Sequence, residues 1–285
     1  MGPRLRGDDV VAMTTSLKSI GPVALVGAGK MGGAMLEGWL ASGLDPKKLV
    51  VIEPKPDPEI LALAQRGVTI NPPAGAVANL AAVVLAVKPQ VAPDVMAGVA
   101  KMVSANTLVV SIMAGRTIGF LQKDLPGAAV VRAMPNTPAA IGRGVTVAVP
   151  NAKVSAAQRK LANDLLAATG AIEWVDDEKL IDAVTAVSGS GPAYVFLLAE
   201  ALAKAGVAAG LPQALADTLA RITVSGSGEL LHRSPLDPAT LRKNVTSPSG
   251  TTAAALEILM GPDGLEKLMR EAVAAAAKRS RELAG

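Results

Sequence analysis

The hydrophobic pattern of this chain changes character near Val175. Before it, short apolar runs alternate with stretches of helical period. The runs are continuous, which is typical of strands buried on both faces of a parallel sheet. They predict strands at Val23–Val26, Leu49–Glu53, Val83–Val87, Leu108–Ile112, Val130–Ala133 and Val145–Val149. The stretches between predict helices at Lys30–Ser42, Pro58–Arg66, Val91–Met102, Thr117–Leu125 and Ser155–Ala168.

Beyond Val175 the strand signal disappears and the helical pattern continues to the C-terminus. Breaks are expected at Ser188–Pro192, Gly210–Pro212, Ser234–Pro238 and Val245–Gly250. We therefore predict an α/β protein, with an N-terminal Rossmann-like doubly wound sheet followed by an all-helical C-terminal domain. The expected division is a flexible extension at 1–19, a dinucleotide-binding domain at 20–175 and a helical domain at 176–285.

The stretch Ala193–Ala209 is apolar around most of its circumference. Such a helix must be buried in a large core or against another subunit. Because the helical region is small for so apolar a sequence, we predict a subunit interface, with a monomeric bundle as the alternative. The nearest candidate for a membrane span, Pro192–Gly210, contains Glu200 and Lys204, so no span and no membrane partner are expected.

Composition narrows the class of protein. The net charge of the 285 residues is +4, and no basic stripe interleaved with aromatic residues indicates a nucleic-acid partner. The absence of cysteine excludes disulfides and thiolate catalysis and is compatible with a cytoplasmic location. No H-E-x-x-H motif or carboxylate cluster indicates a metal site. Residues 1–19 lack the apolar centre of a signal peptide.

A glycine-rich motif follows the first predicted strand. Residues Val23–Gly32 read as a strand, a G-x-G-x-x-G turn and the start of a helix. Gly27 permits the tight turn, Gly29 leaves room for a pyrophosphate, and Gly32 lets the helix approach the strand. Since the motif opens an alternating α/β region, it predicts dinucleotide binding.

Glu53 ends the second predicted strand, where an acid can accept hydrogen bonds from the adenosine ribose. It favours NAD because it would repel a 2′-phosphate. Lys55 and Lys47 could offset that repulsion, so NADH and NADPH both remain candidates.

Candidate acids and bases are few. The only histidine, His232, lies in an amphipathic stretch and is interpreted as a surface or interface residue. The remaining polar stretches offer mainly hydroxyls and amides, which suits a small electrophilic substrate such as a protonated cyclic imine. The segment Asn244–Thr252 precedes a helix, whose N-terminus can bind a carboxylate or can simply form a capped turn.

Five further motifs occur in a fixed order along the chain. They are Ala86-Val-Lys-Pro89, Ser111-Ile-Met-Ala-Gly115, Arg132-Ala-Met-Pro-Asn-Thr-Pro138, Thr185-Ala-Val-Ser-Gly-Ser-Gly-Pro-Ala-Tyr194 and Val245-Thr-Ser-Pro-Ser-Gly-Thr-Thr252. With the glycine-rich motif, they closely resemble the pyrroline-5-carboxylate reductase family from about Pro22 to Leu283. The resemblance implies reduction of 1-pyrroline-5-carboxylate to L-proline with NADH or NADPH, and helices that interlock into a dimer, with dimers assembling into a decamer.

The resemblance also assigns roles to residues. The implied cofactor-binding residues are Val26, Gly27, Ala28, Gly29, Lys30, Met31, Ala86, Val87, Lys88, Pro89, Met113, Ala114, Gly115 and Asn244. The implied substrate-binding residues are Ser247, Gly250, Thr251 and Thr252. The Thr252 hydroxyl is the candidate proton donor, with a purely capping role as the alternative.

Two positions depart from the family pattern. Ser249 replaces the first glycine of a Pro-Gly-Gly sequence, and it would be strained if its φ is positive. Met113 replaces a smaller alanine and is expected to narrow the pocket.

Three other functions remain as alternatives. They are an imine reductase for another cyclic imine, a 3-hydroxyacid dehydrogenase and a nucleotide-sensing protein without turnover. The second normally has a lysine soon after its Gly-Ser-Gly turn, and Gly189-Ser-Gly191 is followed by Pro192 and Ala193 instead.

Overall fold

The computed structural model describes residues 17–73 and 76–284, and it separates into two compact units. The first runs to Gly189 and includes the last residues from Ser280, and the second is Ser190–Arg279. This division falls later than the predicted one at 175/176. Leu17 is fully buried and donates its N–H to the Ser42 carbonyl at 3.1 Å, so the predicted extension is wrong for residues 17–19. Residues 1–16 lie outside the described residues.

Eight strands of the described chain form one sheet in the order β3-β2-β1-β4-β5-β6-β7-β8. Their bounds are β1 Val23–Val26, β2 Leu49–Ile52, β3 Thr69–Ile70, β4 Ala82–Leu85, β5 Leu108–Ser111, β6 Ala129–Met134, β7 Gly144–Pro150 and β8 Gly170–Trp174. The six predicted strands are confirmed to within one or two residues at each end. The sequence analysis missed β3, which has two residues, and β8, whose residues alternate between exposed and half-buried.

One pair of strands departs from the expected parallel arrangement. β6 and β7 are antiparallel, while every other neighbouring pair is parallel. The connection from Met134 to Gly144 contains a single 3₁₀ turn, Thr137–Ile141. It is too short for the crossover helix that a parallel connection requires, so the chain returns as a hairpin.

Helices cover both faces of the sheet. They are α1 Lys30–Ala41, α2 Pro58–Ala62, α3 Ala92–Ala100, α4 Ile118–Asp124, α5 Ala156–Ala167 and α6 Leu180–Val184. Successive residues of β1 point to opposite sides: Leu25 packs in a cluster with Trp39, and Val26 packs in another with Met96. This burial on both faces explains why the strands read as continuous apolar runs.

The second unit is helical in the described residues. Its helices are α7 Gly191–Ala208, α8 Gln213–Arg233, α9 Pro238–Asn244, α10 Thr251–Leu259 and α11 Leu265–Ala284, the last of which ends in the first unit. The predicted break at Ser188–Pro192 is wrong, because a π-helical segment, Thr185–Gly189, leads almost directly into α7. A break at 260–264 was not predicted.

Small residues join α7 to α8. Ala203, Ala216 and Ala220 are buried, and a Cβ on Gly206 would lie 3.3 Å from the Ala216 Cβ. Such residues let two helices approach closely, but they leave the larger apolar side chains pointing elsewhere. Phe196 is 68% exposed, so the apolar surface of α7 is not buried within one protomer.

One helical stretch of the described residues, Leu180–Ala208, is long and apolar enough to cross a membrane by length and composition alone. The expectation of no span rested on the charges in this stretch, which length and composition do not test, and it stays a prediction. Glu200 and Lys204, expected to exclude a span, form an ion pair of 2.6 Å one helical turn apart.

Candidate coenzyme and substrate sites

The three motif glycines differ in what surrounds them. Gly27 has φ +93, and a Cβ there would lie 2.7 Å from the Ala86 carbonyl oxygen. A Cβ on Gly32 would lie 2.2 Å from the Gly27 carbonyl oxygen. Gly29, the N-cap of α1, has nothing within 4 Å of that position. Gly27 and Gly32 are therefore needed by the fold, while Gly29 leaves an open approach to the helix N-terminus. That opening fits a coenzyme pyrophosphate.

Two further predicted coenzyme segments follow neighbouring strands, Ala86–Pro89 after β4 and Met113–Gly115 after β5. The Arg116 side chain ties them together, because its Nε and Nη2 both donate to the Pro89 carbonyl, at 3.0 and 2.7 Å. The guanidinium also lies 4.6 Å from the centre of the Phe120 ring. Sequence analysis missed Arg116, whose only signal was its position directly after a motif.

The side chain of Met113 is only 2% exposed and packs in the core between the sheet and its helices. The expectation that it narrows a pocket is therefore wrong. Ala114 is exposed, and Gly115 has φ +70. A Cβ on Gly115 would lie 3.2 Å from the Leu283 carbonyl oxygen, so the end of α11 lies beside this segment.

Glu53 follows β2 directly and is half-buried. Its Oε2 accepts the Ala28 N–H at 2.9 Å, and its Oε1 accepts the Lys55 N–H at 3.1 Å. The carboxylate is thereby held beside the glycine-rich turn. Lys47 precedes β2, at the opposite edge of the sheet, so it cannot offset the charge of Glu53 as the sequence had suggested.

An ion pair joins β6 to the segment that follows β8. Arg132 of β6 is 4% exposed, and its Nη1 donates to Glu178 Oε1 at 2.8 Å. The same oxygen accepts the Ile118 N–H at the start of α4. Removing Glu178 would take this ion pair from the buried Arg132 guanidinium, whereas Glu178 itself is 29% exposed. The Lys88 side chain, next to Pro89 in the sequence, is exposed and does not belong to the hydrophobic core.

In the second unit, α9 leads into the predicted substrate segment. Asp237 caps α9 by accepting the Ala239 and Thr240 N–H groups, both at 3.0 Å. The hydrogen bond from the Thr240 hydroxyl lowers the pKa of Asp237 below its ordinary value. The helix ends at Asn244, which is exposed.

The segment Ser247–Gly250 forms a tight turn closed by the Gly250 N–H and the Ser247 carbonyl at 3.1 Å. Pro248 occupies its second position, and Ser249 has φ +58 at its third. These features are those of a type II turn, which favours glycine at that third position. The positive φ expected to strain Ser249 is present.

Gly250 is the N-cap of α10, and a Cβ there would lie 2.3 Å from Ser247 Oγ. Thr251 and Thr252 are the first two residues of the helix, so the Thr252 hydroxyl does not occupy the capping position. The Ala254 N–H donates to the Gly250 carbonyl at 3.2 Å. The amides before it lie in the first turn, where a helix has no backbone acceptors for them.

Comparison with known proteins matches both parts of the chain. Residues 178–283 match the family model for pyrroline-5-carboxylate reductase dimerisation, and residues 22–115 match that for NADP oxidoreductase, coenzyme F420-dependent. The pyrroline-5-carboxylate reductase of Pseudomonas aeruginosa is 40% identical over 92% of this chain and 96% of its own length. That of Synechocystis is 42% identical over 92% and 97%.

Solved structures agree with these relatives. A pyrroline-5-carboxylate reductase from Coxiella burnetii has a TM-score of 0.85 at 34% identity, covering 93% of this chain and 99% of its own. The Plasmodium falciparum pyrroline carboxylate reductase with NADP bound has a TM-score of 0.79 at 29% identity, covering 94% and 100%. The resemblance carried by the sequence motifs is confirmed, and the chain belongs to the pyrroline-5-carboxylate reductase family.

Proposed function

We propose that this chain is an NAD(P)H-dependent oxidoreductase that reduces 1-pyrroline-5-carboxylate to L-proline, the last step of proline biosynthesis. The observation that carries this proposal is the 40–42% identity to reductases of this name over 92% of the chain. The open surface at Gly29 supports it independently, because that position fits a coenzyme phosphate.

The coenzyme would be held mainly by backbone. In this proposal residues 26–31 surround the pyrophosphate and Glu53 binds the adenosine ribose. Residues 86–89 and 113–115 face the nicotinamide end, and Asn244 makes a further contact. When bound, the reduced nicotinamide supplies a hydride to the carbon of the C=N bond. Arg116 would hold residues 86–89 and 113–115 next to each other through its hydrogen bonds to the Pro89 carbonyl.

The substrate carboxylate would be held at the start of α10. The helix dipole and the unpaired amides of the first turn favour an anion there. The Ser247 hydroxyl and the Thr251 and Thr252 N–H groups would supply the contacts. Gly250, whose N–H closes the turn onto the Ser247 carbonyl, would leave room for the substrate beside them. Such a site needs no lysine, whose amine could react with the open-chain aldehyde form of the substrate.

The Thr252 hydroxyl would hold the ring nitrogen and donate its proton, directly or through water. Its contribution is modest if the imine arrives already protonated, because the nitrogen then needs no further acid. Thr252 would mainly orient the ring.

The chain carries a dimerisation domain, so it self-associates. We propose that the exposed apolar side chains of α7 and α8 form the dimer interface and that dimers assemble further into a decamer. A cytoplasmic location and the lack of a resident metal remain predictions from composition.

The direct test is oxidation of NADH or NADPH by the purified protein on addition of 1-pyrroline-5-carboxylate, with formation of L-proline. Coenzyme oxidation only with a cyclic imine that lacks the carboxylate would favour the alternative imine reductase. Coenzyme binding with no oxidation of any imine would favour the nucleotide-sensing alternative. A matched reaction without imine controls for background oxidation.

A further inference from the structure

The segment after β2, Glu53–Glu59, alternates prolines with charged residues. Pro54, Pro56 and Pro58 have restricted φ and no N–H to donate. The N–H groups of Glu53 and Lys55 are already bound, to Asn71 Oδ1 at 2.9 Å and to Glu53 Oε1 at 3.1 Å. The segment is therefore stiff and offers few backbone donors to a phosphate group.

Its charges also disfavour a phosphate. Glu53, Asp57 and Glu59 stand against one cation, Lys55. An open groove of about 940 Å³ runs between α1 and α2 beside this segment. The titratable side chains that line it are Lys30, Glu37, Asp57, Glu59 and Arg66. Asp57 and Glu59 belong to both the segment and the groove, so the two together carry four acids and three cations. The net charge of −1 is unfavourable for a 2′-phosphate.

Asn71 fixes the main chain of Glu53 from the neighbouring strand. It follows β3, and its N–H donates to the Val51 carbonyl at 2.9 Å. Its Oδ1 accepts the Glu53 N–H, and its Nδ2 donates to the Glu53 carbonyl at 2.8 Å. Asn71 makes these contacts with φ +48, a backbone conformation that asparagine tolerates better than most residues.

We infer that Glu53 and Asn71 together select the coenzyme, so that this chain prefers NADH to NADPH. Asn71 is a positioning residue that holds the Glu53 main chain. The Ala28 N–H holds the carboxylate, whose remaining lone pairs accept the ribose hydroxyls. A 2′-phosphate at that place would be repelled by the Glu53 carboxylate, which the Ala28 and Lys55 N–H groups hold in position. This inference rests on the coenzyme binding of the proposed function.

The first experiment compares the two coenzymes. We expect kcat/KM to be at least about tenfold higher with NADH, and calorimetric titration without imine to give a similar ratio of dissociation constants. Equal values or a preference for NADPH would overturn the inference and leave the proposed function intact. If neither coenzyme is oxidised but both bind, the proposed function fails, and the ratio of dissociation constants still decides the inference.

The second experiment removes the acid. Glu53→Ser should raise the KM for NADH and lower that for NADPH, reversing the preference. If the ratio stays at the wild-type value, Glu53 does not select the coenzyme.

The third experiment separates Asn71 from Glu53. Asn71→Gly keeps the positive φ accessible but removes both side-chain hydrogen bonds, and we expect KM for NADH to rise about fivefold with little change in kcat. The matched control is Asn79→Gly, an exposed asparagine with φ +54 that precedes β4 at the opposite edge of the sheet. A similar loss in both variants, or an unchanged NADH-to-NADPH ratio in Asn71→Gly, would remove the positioning role.

Discussion

The sheet and helix α7 are both strongly apolar, yet they differ in what covers them. Each residue of β1, Val23–Val26, is buried inside the first unit. In α7 only Ala203 is buried among the described residues, while Phe196 and Leu197 are 68% and 61% exposed. An apolar pattern shows that burial is required, but it does not show whether the same protomer supplies it.

The largest expected effect tests whether a second protomer covers the exposed apolar side chains of α7. Phe196→Asp should dissociate the dimer, because an aspartate buried there without a partner weakens association by about 3 kcal/mol or more, over a hundredfold in Kd. The measurement is the molar mass by light scattering across a dilution series. The matched control is Leu61→Asp in α2, which replaces a residue that is 51% exposed in the first unit and should leave the mass unchanged. A dimer that survives Phe196→Asp would place the interface elsewhere.

The next effect compares two glycines of the first unit, one required for packing and the other proposed for coenzyme binding. Gly32→Ala should destabilise the protein by about 3 kcal/mol, since its Cβ would overlap the Gly27 carbonyl. Gly29→Ala has free space and should lower stability by only about 1 kcal/mol, the cost of alanine at an N-cap, while coenzyme affinity falls about tenfold. Calorimetry of unfolding and coenzyme titration together give both quantities. Unaltered coenzyme affinity in Gly29→Ala would contradict the pyrophosphate site.

A smaller effect is expected at the start of α10. If the Thr252 hydroxyl holds the ring nitrogen as proposed, Thr252→Ala should lower kcat about ten- to a hundredfold, while the coenzyme dissociation constant stays within about twofold. Thr252→Ser keeps the hydroxyl and should retain most turnover. If Thr252→Ala is as active as Thr252→Ser, the hydroxyl has no part in the reaction.

The smallest effect concerns backbone conformation. Among the described residues other than glycine, positive φ occurs at Asn71 and Asn79 in the first unit and at Ser249 in the second. Ser249→Gly should raise the free energy of unfolding by about 0.5 kcal/mol, because relief of strain exceeds the added freedom of the unfolded chain. Ser249→Val should lower it, and a thermal scan of the three proteins checks the order. A lower midpoint for Ser249→Gly would show that the turn holds serine without strain.

Sequence analysis predicted best where one local pattern carried the signal. The continuous apolar runs predicted six strands correctly. The glycine spacing identified which glycines the turn requires. It failed at β3 and β8, which are short or half-exposed, and at the π-helical segment Thr185–Gly189, where glycine and serine suggested a break. The four small residues at 188–191 interrupted the periodicity without ending the helical stretch Leu180–Ala208.

The family, the alternating order of strands and helices and the dinucleotide motif could all be read from the sequence, because each depends on residues that are adjacent in the chain. The substrate segment was predicted in the same way and stays a prediction. Three outcomes required the folded structure: Met113 is buried in the core, Lys47 precedes β2 whereas Glu53 follows its end, and Asn71 holds the Glu53 main chain. These outcomes depend on side-chain directions and on contacts between strands far apart in the chain. No local period of hydrophobic residues encodes them.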